Sequence, residues 1–311
     1  MPKNNIHKTK IAIIGAGSVG STCAYVASLK NLASEIALID INEKKEKGEV
    51  MDIADGLCFM ETGCVKGSDF RDARDADVIV LTAGAPQKPG ETRLDLVQKN
   101  ISILKSIFKQ IGKIKKTAII IVVANPVDIM TYVAQNISGL PKKQVFGSGT
   151  TLDTARLRTE VGKHLKVSPQ SVDGFVLGEH GDSEFVAWSS VTIGGIPAEK
   201  IKSLDLKTKN RIEEKVKHEA YKIINYKGAT FYGIATVISD IIEAVLYDQH
   251  KILPISSRLK NWNNINDICL GSPAVIGRNG VEKIWDLNLT TQEKKQLKKS
   301  ADTLKSYLKK K

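Results

Sequence analysis

The feature that most constrains this chain is Gly15-Ala16-Gly17-Ser18-Val19-Gly20, which follows the apolar run Lys10–Ile14 and opens a helical stretch reaching about Lys30. Gly15 permits a tight turn, Gly17 lets a pyrophosphate approach the backbone, and Gly20 lets helix and strand pack closely. The helix N-terminus then offers free N–H groups to an anion. A second apolar run, Glu35–Asp40, ends in an acid 25 residues after Gly15. A carboxylate there accepts hydrogen bonds from ribose hydroxyls and repels a further phosphate. No arginine follows in Ile41-Asn42-Glu43, so the pattern points to NAD rather than NADP.

The rest of the first half alternates in the same way. Glu43 to about Gly56 reads as a helix, and a short strand is expected near Val65. Asp77–Gly84 and Thr117–Asn125 are near-continuous apolar strands, as expected when both sheet faces are covered. Between them Leu94, Val97, Ile101, Leu104, Phe108 and Ile111 recur at helical spacing, and Gln144–Gly149 reads as a sixth strand. The fold class is α/β, a Rossmann-type doubly wound parallel sheet. After about residue 150 the order changes to a helix near Leu152–His164, strand-like FVLGEHGD and WSSVTIGG, helices over about Thr208–Ile224 and Ala229–Leu246, and a Gly- and Pro-punctuated β region to Gly280. The expected division is a dinucleotide-binding domain over 1–148 and an α+β catalytic domain over 149–311, packed on the first.

Composition narrows the class. The longest uninterrupted apolar run, Ala118–Ala124, is strand length and far short of the ~20 residues of a membrane helix. Lys3, Lys8 and Lys10 precede an apolar stretch as in a signal peptide, but Gly15, Gly17 and Gly20 break it. The four cysteines form no C-x-x-C pair, and their sparseness fits a reducing cytoplasm. No H-x-H or H-E-x-x-H is present, and no metal is expected. Of the net charge of +12, half lies in residues 291–311, where eight lysines face Glu293 and Asp302. Leu297, Ala301, Leu304 and Leu308 make that segment an amphipathic helix with a solvated lysine face. A single aromatic, Tyr307, falls among these lysines, too few for a row of stacking positions, so neither nucleic acid nor membrane is expected as a partner.

Four polar clusters carry the chemistry: Gln87–Arg93, Asn125-Pro126-Val127-Asp128, Thr150–Arg156 and Gly178-Glu179-His180-Gly181-Asp182-Ser183. Ligands of open α/β sheets bind beyond the carboxyl ends of the strands, and Asp153 and Arg156, three apart on a helix, project from one face. With these on view, IAIIGAGSVGS, IALIDIN, LTAGAPQKPGETRLDLV, VVANPVDI, GSGTTLDTARLR, GEHGDSE and KGATFYGIA together resemble the lactate/malate dehydrogenase family, in family order from residue 11 to about 235.

The resemblance implies roles that physical chemistry can support. His180 corresponds to the acid/base that protonates a substrate carbonyl, a task suited to a pKa near neutrality, and Asp153 to the carboxylate that orients it. Arg156 corresponds to the clamp on the substrate carboxylate, which a planar guanidinium can hold through two parallel bonds. Arg93 corresponds to the loop residue that polarises the carbonyl, with Pro89 and Gly90 in a hinged lid. Asn125, Ser148 and Thr230 correspond to nicotinamide or pocket-wall positions. Gly15, Gly17, Ser18, Val19, Gly20, Asp40, Thr82, Ala83 and Gly84 fall at cofactor positions.

Gln87 corresponds to the position that separates lactate from malate enzymes. Its neutral amide leaves the second carboxylate of oxaloacetate uncompensated, so pyruvate/L-lactate is the expected pair. A longer 2-hydroxy acid such as 2-hydroxyisocaproate, malate, or an inactive dinucleotide-binding scaffold stays open as an alternative. The resemblance also implies a homotetramer. Family members that respond to fructose bisphosphate hold it with an arginine and a histidine. Arg158 matches the former, but Asp173 stands at the latter, where a carboxylate repels phosphate, so weak or absent activation is expected.

Overall fold

A computed structural model describes residues 8–61, 63–85 and 93–309. The first half runs β1 (Lys10–Ile14), α1 (Ser18–Leu29), β2 (Glu35–Ile39), α2 (Glu43–Asp55), β3 (Val65–Gly67), β4 (Val78–Leu81), α3 (Arg93–Ile111), β5 (Ile119–Val122), α4 (Val127–Ile137) and β6 (Val145–Gly147). These six strands are parallel in the order β3-β2-β1-β4-β5-β6. The order reverses at β1/β4, which opens a crevice above the strands' carboxyl ends. Ile11, Ile13, Val78, Val80, Ile119 and Ile121 bury against one helical layer. Ala12, Ile14, Ile79, Leu81, Ile120 and Val122 bury against the other, which is why these strands are apolar on both faces. On α3, Val97, Leu104, Phe108 and Ile111 are buried and Ile101 partly so, as the periodicity requires.

The second half contains α5 (Thr151–Leu165), β7 (Val172–Asp173), β8 (Val176–Leu177), β9 (Phe185–Val186), β10 (Thr192–Ile193), β11 (Ile196–Pro197), α6 (Leu206–Lys227), α7 (Tyr232–Leu246), β12 (Lys251–Arg258), β13 (Cys269–Gly277), β14 (Gly280–Ile284) and α8 (Thr291–Lys309). The sequence reads this half as an α+β portion packed on the first and leaves the pairing of its β region open. In the structure β12, β13 and β14 continue the main sheet antiparallel, β12 joining β6 through the Ser256/Gly147 pair, to give nine strands. The joint exists because Gly147 has no side chain: a Cβ there would lie 2.4 Å from Thr131 Oγ1 and 3.0 Å from Ser256 Cβ.

Two further differences are local. FVLGEHGD and WSSVTIGG form only two-residue strands, because Gly178 (φ +97°), Gly194 (φ +54°) and Gly195 (φ +81°) leave the extended region. The helix expected from Ala229 begins at Tyr232, because α6 runs on to Lys227 and ends at Gly228 (φ +84°).

Helix α1 meets the sheet at the glycine loop. A Cβ on Gly20 would sit 1.7 Å from the carbonyl oxygen of Gly15, a backbone group that cannot step aside. Gly20→Ala is expected to cost about 3 kcal/mol, read as a lowered urea midpoint with unchanged m-value.

Candidate active site

The phosphate loop is held from below. Gly15 (φ +108°) donates its N–H to Ile39 at 2.7 Å, and Thr82 Oγ1, just beyond the end of β4, lies 3.0 Å from the carbonyl oxygens of both Ile14 and Gly15. Asp40 Oδ2 accepts the Ala16 N–H at 2.6 Å and Oδ1 that of Asn42 at 2.8 Å, so the acid at the end of β2 pins the loop and keeps lone pairs for hydroxyl donors. Gly17 is different from its neighbours: a Cβ there would meet nothing within 4 Å. That open space lies at the N-terminus of the 12-residue helix α1, whose first residues are Ser18 and Val19.

Gly15, Gly17, Asp40, Thr82, Ala83 and Gly84 line a cleft of about 470 Å³ that also takes in Phe70, Ile103 and Ile107. Apolar walls, an acid at one end and an unobstructed helix N-terminus at the other fit adenine, ribose and pyrophosphate in that order. Lys45, which a reading of residues 41–43 omits, also lines this cleft.

The catalytic candidates come together on the second half. Helix α5 presents Asp153 and Arg156 inward, and the loop after β8 presents His180. His180 Nδ1 is 2.7 Å from Asp153 Oδ2, while Arg156 donates from a guanidinium nitrogen to Asp153 Oδ1 at 2.8 Å. Asp153 is 1% and Arg156 7% exposed. One carboxylate therefore bridges an imidazole and a guanidinium with little water to screen it. Pairing Nδ1 with Asp153 leaves Nε2, on the far side of the ring, as the nitrogen that can exchange a proton.

The environment sets the charge states. Burial alone lowers the pKa of His180, but the Asp153 charge and hydrogen bond outweigh it, helped by Glu184 and Asp128, and the value rises to about 9. Burial opposes ionisation of Asp153, and the neighbouring His180 and Arg156 overcome it, so this carboxyl is held below its ordinary range. Burial pushes Asp128 up to about 6, against the bonds it accepts from Ser256 and the His180 N–H. Burial and the Asp153 charge hold Glu184 well above the usual carboxylate range.

Sequence reasoning left Asp128 and Glu184 without a role. Asp128 Oδ2, on α4, accepts the His180 backbone N–H at 2.9 Å, and its Oδ1 accepts from Ser256 Oγ of β12. Glu184 Oε2 lies 3.9 Å from His180 Nδ1. Both belong to the quoted strings NPVD and GEHGDSE, but nothing in the strings says that they face one imidazole. Asn100 was also missed: it accepts the Ala85 N–H and donates to the Asn125 carbonyl, each at 2.8 Å, tying together the loops after β4 and β5. Asp153, His180 and Glu184 place potential ligand atoms within 4.8 Å of one another. The short His180–Asp153 bond and the Arg156 cation already satisfy that charge.

The remaining candidates are placed less closely. Asn125, joined to Pro126 by a cis peptide, accepts the Val127 N–H at 3.3 Å. Ser148 is buried, and its carbonyl accepts from Thr151 Oγ1 at 2.8 Å. Thr230 is half-buried between α6 and α7. Arg93 is the first residue of α3. Gln87, Pro89 and Gly90 lie outside the described residues.

The chain is similar to known proteins over nearly its whole length. Residues 9–147 match the family "lactate/malate dehydrogenase, NAD binding domain" and residues 150–311 its "alpha/beta C-terminal domain". An L-lactate dehydrogenase of Clostridium botulinum is 46% identical over 305 residues, covering 96% of both chains. One of Acetivibrio thermocellus is 43% identical over 314 residues, covering 99% of both. The crystal structure of the minor L-lactate dehydrogenase from Enterococcus mundtii in its ligands-bound form superposes with a TM-score of 0.94 at 41% identity, covering 97% of this chain and 98% of that one. With both halves matched in order and relatives of this similarity covering almost the whole chain, the chain belongs to the lactate/malate dehydrogenase family.

Proposed function

We propose that the chain catalyses the reversible, NAD-linked reduction of pyruvate to L-lactate. The observation that carries this reading is the Asp153 carboxylate held between His180 and Arg156 at 2.7 and 2.8 Å. Arg156 spends one N–H on Asp153, and the rest of its planar fork suits a substrate carboxylate. His180, charged and oriented through Nδ1, gives its Nε2 proton to the carbonyl oxygen. Arg93 stabilises the negative charge developing on that oxygen. Asn125 bonds at the nicotinamide end, and Ser148 and Thr230 wall the pocket. NADH, bound along the Gly15–Gly20 loop, supplies the hydride. An inactive scaffold would have no use for all of these groups together.

Pyruvate is favoured over oxaloacetate by Gln87, whose neutral amide offers no partner to a second carboxylate. Arg158 lies 3.8 Å from Asp173, so the arginine that would meet a bisphosphate there already faces an acid. A homotetramer in the cytoplasm completes the reading. Its support is the family membership and an exposed apolar surface on α1, α7 and the turn that follows α2, where Tyr25, Leu29, Phe59 and Tyr232 surround one shallow cleft. No helix among the described residues is long and apolar enough to cross a membrane.

In an NADH absorbance assay, kcat/KM for pyruvate is expected to exceed that for oxaloacetate by about a hundredfold or more. The reverse order would overturn the substrate assignment. Micromolar fructose bisphosphate is expected to leave the pyruvate KM unchanged, and a large fall would contradict the reading of Asp173. Pyruvate reduction needs imidazolium, so kcat/KM should hold below pH 9 and fall as pH rises through it; lactate oxidation needs the neutral ring and should respond in the opposite sense. Asp153→Asn removes the charge that raises the His180 pKa. It is expected to lower kcat/KM by about a hundredfold and to move the alkaline limb to lower pH.

A further inference from the structure

Three successive amides of the catalytic loop are each held by a different element. The Gly178 N–H bonds to the carbonyl of Gly271 on β13 at 3.0 Å. The Glu179 N–H bonds to Ser300 Oγ on α8 at 2.5 Å, and the His180 N–H bonds to Asp128 on α4 at 2.9 Å. Sheet, terminal helix and α4 together fix the backbone from which the imidazole projects. Ser300 is the least expected of the three, 121 residues from Glu179 along the chain.

The hydrogen-bond directions around Ser300 are determined. Ser183 Oγ donates to Glu179 Oε2 and lies 3.1 Å from Ser300 Oγ. A hydroxyl has one proton, and that of Ser183 goes to the carboxylate. Ser300 therefore accepts from the Glu179 N–H and donates to Ser183, and the ring closes back on the Glu179 carboxylate with every bond running in one sense. Such rings strengthen each member. Ser300 is fully buried and Glu179 is 3% exposed, so water cannot replace a lost partner. The fit is also steric, since a Cβ on Gly178 (φ +97°) would lie 2.7 Å from Ser300 Oγ.

We propose that Ser300 is a positioning residue for His180, through which the terminal helix α8 becomes part of the active site. Its effect passes through the loop backbone to the His180–Asp153 bond. The proposal rests on the acid/base reading of His180 given above.

The test compares the full-length parent with Ser300→Ala and Ser300→Cys, whose thiol is a weak hydrogen-bonding group. Ser300→Ala is expected to lower kcat/KM for the 2-oxo acid by about tenfold with the NADH KM unchanged. The alkaline limb should move to lower pH as the His180–Asp153 bond loosens, and amide exchange should speed up at Glu179 and His180. Ser300→Cys is expected to fall between the two. If Ser300→Ala keeps the parent's kcat, KM and pH limb, the proposal is overturned, even where Tm drops; a purely structural serine would behave that way. Should the alanine variant fail to fold, Ser300→Cys decides on the same readouts. A parent inactive on every 2-oxo acid would strike the proposed reaction instead, and the amide exchange together with an NMR titration of the His180 ring would still decide the role of Ser300.

Discussion

A buried carboxylate is costly unless its charge is answered, and Asp153 is answered twice, by the His180 ring and by the Arg156 guanidinium. Burial sharpens both interactions, because little solvent lies between the partners to screen them. The same arrangement explains why the second half is built as it is. Helix α5 must carry the acid and the arginine three residues apart on its inner face, and the loop after β8 must bring an imidazole to the same point. Asp128 and Glu184 add acids near the ring whose burial opposes ionisation, so Asp153 supplies the dominant charge that holds the imidazole basic.

The first half serves a different requirement, that of bringing an anionic cofactor against backbone. Gly15 and Gly20 are needed by the protein itself, one for its left-handed φ and the other for the contact between α1 and the loop. Gly17 has free space where a side chain would go, so its smallness serves something that is not protein. Asp40 joins the two purposes, fixing the loop through the Ala16 N–H while facing the cleft. The sheet then carries this geometry to the catalytic residues, because β12 lies against β6 and places Ser256 on Asp128, which holds the His180 amide.

Much of this was legible in the sequence. Strands buried on both faces read as continuous apolar runs, the α3 periodicity named its buried face, and the glycine loop with Asp40 specified a dinucleotide cleft. The short strands after residue 172 were over-read, because apolar composition does not reveal where a glycine leaves the extended region. That the three antiparallel strands extend the main sheet was not legible, because pairing between β12 and β6 depends on residues more than a hundred positions apart. Within the site, Asp153 and Arg156 could be paired from helical spacing alone, whereas Asp128, Glu184 and Ser300 could not be connected to His180, nor Asn100 to Asn125.

The division has a physical basis. The sequence by itself determined whatever depends on neighbours along the chain: helical faces, the alternation of strand and helix, the turn that only glycine permits, and the residue types able to carry acid/base chemistry. Tertiary structure alone decided which charges share a buried space, and therefore that one carboxylate stays ionised, two others are driven toward neutrality and an imidazole is held basic. Those outcomes follow from distance and desolvation, which the chain acquires only once separate segments have closed around the same point.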